Sequence, residues 1–123
     1  MTPTSILYVE DNDDLRDSIA MALESPTREI TVCATGEEAL TALAQRDWDI
    51  LMTDVGLPGI NGTDLARQLT TSKPQQWVVL CSGYDMGAQL AALGPNVRAL
   101  TKPFDLDALE RILDTIEDAL KAR

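Results

Sequence analysis

The chain of 123 residues has the length of one domain with a single substantial core. Its hydrophobic share of 45% and charged share of 24% are ordinary for a globular protein, and its apolar runs are too short to span a membrane. Twenty acidic against ten basic residues leave a net charge of −10, which repels a phosphate backbone and argues against direct nucleic-acid binding.

The N-terminus, Met1-Thr2-Pro3-Thr4-Ser5, lacks the basic flank of a secretory signal, so a cytoplasmic location is expected, and the start at Met1 favours a natural N-terminus. A short apolar run, Ile6 to Val9, follows and ends in Glu10-Asp11; it reads as a strand. Leu15, Ile19, Ala22 and Leu23 then recur at helical spacing and predict one apolar stripe. Ile30 to Cys33 reads as the second strand. Thr35-Gly36-Glu37-Glu38 has the capping-box spacing that opens a second helix, with Leu40, Leu43 and Ala44 as its stripe. The third strand, Ile50 to Met52, leads into Asp54. Gly59, Asn61 and Gly62 are expected to shape the next loop and cap a third helix carrying Leu65, Ala66 and Leu69. Trp77 to Cys81 is the fourth strand, ending at Ser82, and a fourth helix is expected around Met86 to Leu93. Gly94-Pro95-Asn96 breaks the chain before the fifth strand, Val97 to Leu100, after which comes Lys102. Asp105 then N-caps a last helix with Leu106, Leu109, Ile112, Leu113, Ile116 and Leu120 as its stripe. Trp48 and Trp77 read as packing residues. Cys33 and Cys81, without CxxC spacing in a chain that has no histidine, read as buried free thiols.

Five βα units with right-handed crossovers predict an α/β fold, an open parallel sheet with helices on both faces, as one domain over residues 1–123. The first, third and fourth strands lack polar alternation, as expected of strands covered on both sides. In such folds the site lies beyond the carboxyl ends of the strands, where strand order reverses. Glu10-Asp11, Asp54, Ser82 and Lys102 stand at those ends. In the flavodoxin-like order 2-1-3-4-5 the first and third strands are neighbours. Three carboxylates then crowd into one pocket and raise one another's energy unless a cation shares them. Oxygen donors without nitrogen or sulfur suit Mg2+. A lysine, a hydroxyl and a bridging cation are the parts phosphoryl transfer needs, with the Asp54 carboxylate as nucleophile.

The segments Ile6-Leu7-Tyr8-Val9-Glu10-Asp11-Asn12, Leu51-Met52-Thr53-Asp54-Val55-Gly56-Leu57-Pro58-Gly59-Ile60-Asn61-Gly62, Leu80-Cys81-Ser82-Gly83 and Leu100-Thr101-Lys102-Pro103-Phe104 resemble, in order and spacing, the receiver domain of bacterial two-component response regulators. The resemblance spans essentially the whole chain. It implies that Asp54 accepts a phosphoryl group and that Asp11 and Asp54 ligate Mg2+ directly. It implies further that the Gly56 backbone carbonyl is another ligand and that Glu10 acts through water. Ser82 is similar to the family's phosphoryl-facing hydroxyl, Lys102 to its pairing lysine, and Pro103 to a residue that usually follows a cis bond. The implied donor is a histidine kinase or a phosphotransfer protein. With no second domain expected after the last helix, output is expected through an unidentified partner, onward phosphotransfer, or a homodimer built on the fourth helix, fifth strand and fifth helix; a domain excised from a longer chain is the alternative.

One departure stands out. The family often has Tyr or Phe three residues before the lysine, where this chain has Ala99. Tyr84 is a candidate substitute, although an exposed loop tyrosine is the plainer reading. A phosphorylation-independent pseudo-receiver is the main alternative function. A magnesium-dependent aspartyl-phosphate phosphohydrolase is a weaker one, because it needs a second aspartate where Gly56 stands. A flavin carrier is weaker still, because Glu10, Asp11, Asp13 and Asp14 repel phosphate. The chain is therefore expected to be a switch, with slow self-phosphorylation and self-dephosphorylation at most, and not an enzyme.

Overall fold

The structure is a computed structural model and describes residues 2–122. Strands and helices alternate: β1 (Thr4–Val9), α1 (Asp13–Leu23), β2 (Arg28–Cys33), α2 (Gly36–Gln45), β3 (Ile50–Asp54), α3 (Gly62–Ser72), β4 (Trp77–Ser82), α4 (Gln89–Leu93), β5 (Val97–Thr101) and α5 (Leu106–Lys121). The strands form one parallel sheet in the order β2-β1-β3-β4-β5. This is the flavodoxin-like arrangement that the sequence predicts, with the order reversing between β1 and β3.

Alternation along the strands divides the core in two. Leu7, Val9, Leu51, Val78 and Leu80 pack with Ala39, Leu65, Ala66 and Leu69 of α2 and α3 on one face. Ile6, Tyr8, Ile50, Met52 and Val79 pack with Ile19 and Leu23 of α1 and Leu109, Leu113 and Ile116 of α5 on the other. The three central strands are buried along nearly their whole length, which explains their unbroken apolar runs. Leu109 and Leu113 are fully buried, and each such side chain contributes about 2 kcal/mol relative to exposure. Arg28, at the start of β2, adds a polar tie: its guanidinium pairs with Glu110, Asp114 and Glu117 of α5 at 2.8, 3.0 and 2.6 Å.

Local signals account for most helix starts. Asn12, Thr35, Asn61 and Asp105 each accept a backbone N–H from the first turn of α1, α2, α3 and α5. Glu38 reaches back to donors at Ala34 N–H and the Thr35 hydroxyl, a variant of the expected box. Some expected stripe residues lie elsewhere. Leu15 and Leu106, in the first turns of α1 and α5, are exposed, as are Ala22 and Ala44, while Ala39 is buried. Periodicity marks a helix face but not where along its length the helix leaves the sheet. The fourth helix is only Gln89–Leu93, without a side-chain cap, where Met86 to Leu93 was expected. No described helix is long and apolar enough to cross a membrane.

Candidate functional site

The carboxyl ends of β1 and β3 lie side by side, with Val9 paired in register to Thr53. Glu10, Asp11 and Asp54 therefore converge, and one carboxylate oxygen from each lies within 4.8 Å of the others. Glu10 is 3% exposed and Asp54 8%, while Asp11 faces solvent. Burial, followed by the Asp54 charge, raises the Glu10 pKa, opposed by the Asn12 N–H that donates to Glu10 Oε2 at 3.0 Å. Two buried acids on one exposed partner make an all-oxygen donor set, which suits a hard divalent cation.

Lys102 enters from the end of β5. Its Nζ stands 2.9 Å from Asp54 Oδ1 and 3.5 Å from Glu10 Oε1. Burial alone would lower its pKa, but the bond to Asp54 and the charges of Asp54 and Glu10 outweigh this, so the net direction is upward and the ammonium persists. The peptide bond between Lys102 and Pro103 is cis. The Lys102 N–H donates to the Ser82 carbonyl, so the ends of β4 and β5 are tied at the site.

Ser82 is 1% exposed, and its hydroxyl is committed away from Asp54. The Oγ donates to the Tyr84 carbonyl at 2.7 Å and accepts from the Tyr84 N–H at 3.0 Å. Tyr84 as a residue is 51% exposed. Ala99 is half-buried against the core face that α4 covers. Gly56 sits exposed in the turn after β3, with no atom within 4 Å of where a Cβ would be.

Three supporting contacts are not legible in the sequence. Gly62 packs so closely that a Cβ there would lie 2.2 Å from the Asp54 carbonyl oxygen. Its N–H bonds the Val55 carbonyl, while the Asp54 carbonyl accepts from the Thr53 hydroxyl at 2.9 Å. Arg16 donates to the Glu10 carbonyl at 3.1 Å and pairs with Asp13 at 2.9 Å, which pins the acidic loop. Only the Asn61-Gly62 pair hinted at the first of these, as a loop-and-cap signal. Beneath the site, Cys81 is a free thiol whose pKa burial pushes up to about 12, and burial raises Cys33 as well. Both behave as inert packing groups.

A doubly wound sheet here gathers three carboxylates and one lysine at its switch point, an all-oxygen cluster with an ammonium beside it. The chain belongs to the response regulator receiver domain family, which matches residues 6–114. It is 30% identical over 107 residues to the response regulator receiver protein CpdR of Brucella abortus, covering 82% of this chain and 86% of that protein. Against the sensory transduction protein RegX3 of Mycolicibacterium smegmatis it is 41% identical over 66 residues, covering 54% of this chain and 29% of that longer relative. The response regulator TrrA of Thermotoga maritima, solved in complex with Mg(2+)-BeF, shares the fold with a TM-score of 0.80 at 23% identity, over 92% of this chain and 98% of that one.

Proposed function

We propose that the chain is a single receiver domain over residues 1–123, acting as a phosphoacceptor switch with Asp54 as its acceptor. The donor is a phosphohistidine on a histidine kinase or a phosphotransfer protein. A carboxylate oxygen of Asp54 attacks phosphorus, a P–O bond forms as the P–N bond breaks, and the electron pair returns to the imidazole nitrogen. The carrying observation is the Lys102 ammonium at 2.9 Å from Asp54, beside two further carboxylates that by themselves would repel a phosphoryl group.

The carboxylate cluster fits magnesium: Asp11, Asp54 and the Gly56 carbonyl would hold it directly, and Glu10 through water. When bound, Mg2+ supplies charge neutralisation for the carboxylates and for the phosphoryl oxygens. Lys102 transfers its pairing from Asp54 to the phosphoryl group, and Ser82 donates to that group's oxygen. To do so the Ser82 hydroxyl releases both Tyr84 backbone contacts, which frees the loop between β4 and α4. Gly83 and Gly87, the latter at φ 47°, let that loop move.

Ala99 offers no ring to relocate, so the change passes through the loop backbone and along β5 to the face formed by α4, β5 and α5. Output follows by contacts with another protein or a second copy of the chain. Self-dephosphorylation is slow, and the protein is not an enzyme in the turnover sense. Amide spectra with beryllofluoride and Mg2+ test this reading. Shifts at Asp54, Ser82 and Lys102 that extend to Tyr84–Gln89 and β5 support it; shifts confined to the acidic loops contradict it.

A further inference from the structure

Six of the ten basic side chains are paired with carboxylates: Arg16, Arg28, Arg46, Arg67, Lys73 and Lys102. Among the described residues, Arg98, Arg111 and Lys121 pair with none, and the two arginines line one groove of about 370 Å3 between β5 and α5. Its floor is apolar, made by Leu100, Ala108, Ile112 and Ile116. In a chain of net charge −10 an acidic surface is background, whereas two unpaired arginines flanking one apolar groove are a local reversal of sign.

The Arg98 guanidinium is also held in place without using a carboxylate. It lies over the Trp77 ring with its centre 5.1 Å from the centroid, and its Nη1 donates to the Pro95 and Val97 carbonyls at 3.0 and 3.2 Å. Its Nε and Nη2 remain for a ligand. A fixed planar fork gives up little freedom when it engages a carboxylate.

From this we infer that the groove binds an acidic segment of a partner protein, with one large apolar side chain on the floor and flanking carboxylates on Arg98 and Arg111. A basic segment meets like charge there, and a neutral one leaves both guanidiniums unused. The inference deepens the proposed output face and rests on that reading only for its link to Asp54. That link is direct in the chain: β5 ends at Thr101, one residue before Lys102, and α5 begins at Leu106.

The test is a random dodecapeptide display library selected against the full unphosphorylated protein. Selected peptides should carry net negative charge around a large apolar residue and shift the Trp77 indole resonance. Arg98→Gln and Arg111→Gln should each weaken them at least fivefold, and the double variant by more, while Arg67→Gln changes affinity less than twofold. Both groove arginines are exposed, and unchanged melting temperatures would show that the variants fold. No enrichment, enrichment of neutral or basic peptides, or binding indifferent to both substitutions would overturn the inference. Concentration-dependent self-association abolished by Arg111→Gln would also overturn it, by making a second copy the occupant. Failure of the phosphoacceptor reading would show separately, as no labelling of Asp54 by a phosphodonor.

Discussion

Replacing Gly62 by alanine tests how tightly the β3-to-α3 connection is packed behind Asp54. The added carbon would lie 2.2 Å from the Asp54 carbonyl oxygen and 2.9 Å from both the Asp54 carbonyl carbon and Val55 Cα. Close C···O contacts in proteins sit near 3.3 Å, so the backbones must separate by about 1 Å. Neither side yields easily. Val55 N–H bonds the Cys81 carbonyl at 2.9 Å, the Val55 carbonyl accepts from Gly62 and Leu57, and the Asp54 carbonyl holds the Thr53 hydroxyl. Such overpacking costs about 1–3 kcal/mol, whereas replacing glycine in a helix gains at most about 1 kcal/mol. An approach of 2.2 Å to backbone puts the overpacking cost in the upper part of its range, so the clash prevails by a net of about 1–2 kcal/mol. For a domain of this size that lowers Tm by roughly 4–8 °C. Gly56→Ala, with nothing within 4 Å, should stay within about 0.5 kcal/mol of the parent and serves as the control. Thermal and urea denaturation read both variants. A Gly62→Ala protein as stable as the parent would refute the packing argument.

Magnesium should raise Tm more than sodium at matched ionic strength, by about 2.7 kcal/mol of stability at one hundred times Kd; an Asp11→Ala protein that binds magnesium as well as the parent would show the site to be misplaced. Glu10 has its folded pKa raised above the unfolded value, so in metal-free protein the folded state binds the extra proton, and stability falls as pH rises from the ordinary carboxylate range through the raised pKa. Glu10→Gln should flatten that decline and raise the metal-free Tm at neutral pH, and an unchanged pH profile would count against the burial argument. Tyr84→Ala should leave the loop's beryllofluoride response intact in amide spectra, because Ser82 holds the Tyr84 backbone and not its ring; loss of that response would assign the ring a role in the switch.

The layout was readable from sequence because apolar runs without polar alternation occur where strands are covered on both faces, and β1, β3 and β4 are such strands. The convergence of Glu10, Asp11 and Asp54 followed from carboxylates ending neighbouring strands. Other features depend on through-space approach and leave no local signature. Gly62 reads in sequence as a loop-and-cap residue, but its approach to Asp54, made without a positive φ, has no such mark. The Ser82 hydroxyl is held by the Tyr84 backbone of its own loop, a commitment that the residue type alone does not reveal. Arg28 finds its three carboxylates some eighty residues away, and Arg98 and Arg111 face one groove only because α5 packs beside β5.

The most direct measurement of the acceptor assignment is mass spectrometry after incubation with acetyl phosphate and Mg2+. One added phosphoryl group on the peptide containing Asp54 is the predicted result, lost on hydroxylamine treatment and absent without magnesium. Asp54→Asn should show none while keeping its fold, since the amide preserves volume but loses the nucleophile. Labelling of Asp54→Asn at the parent rate would contradict the assignment, and an unmodified parent protein would make the chain an interaction module that works without phosphorylation.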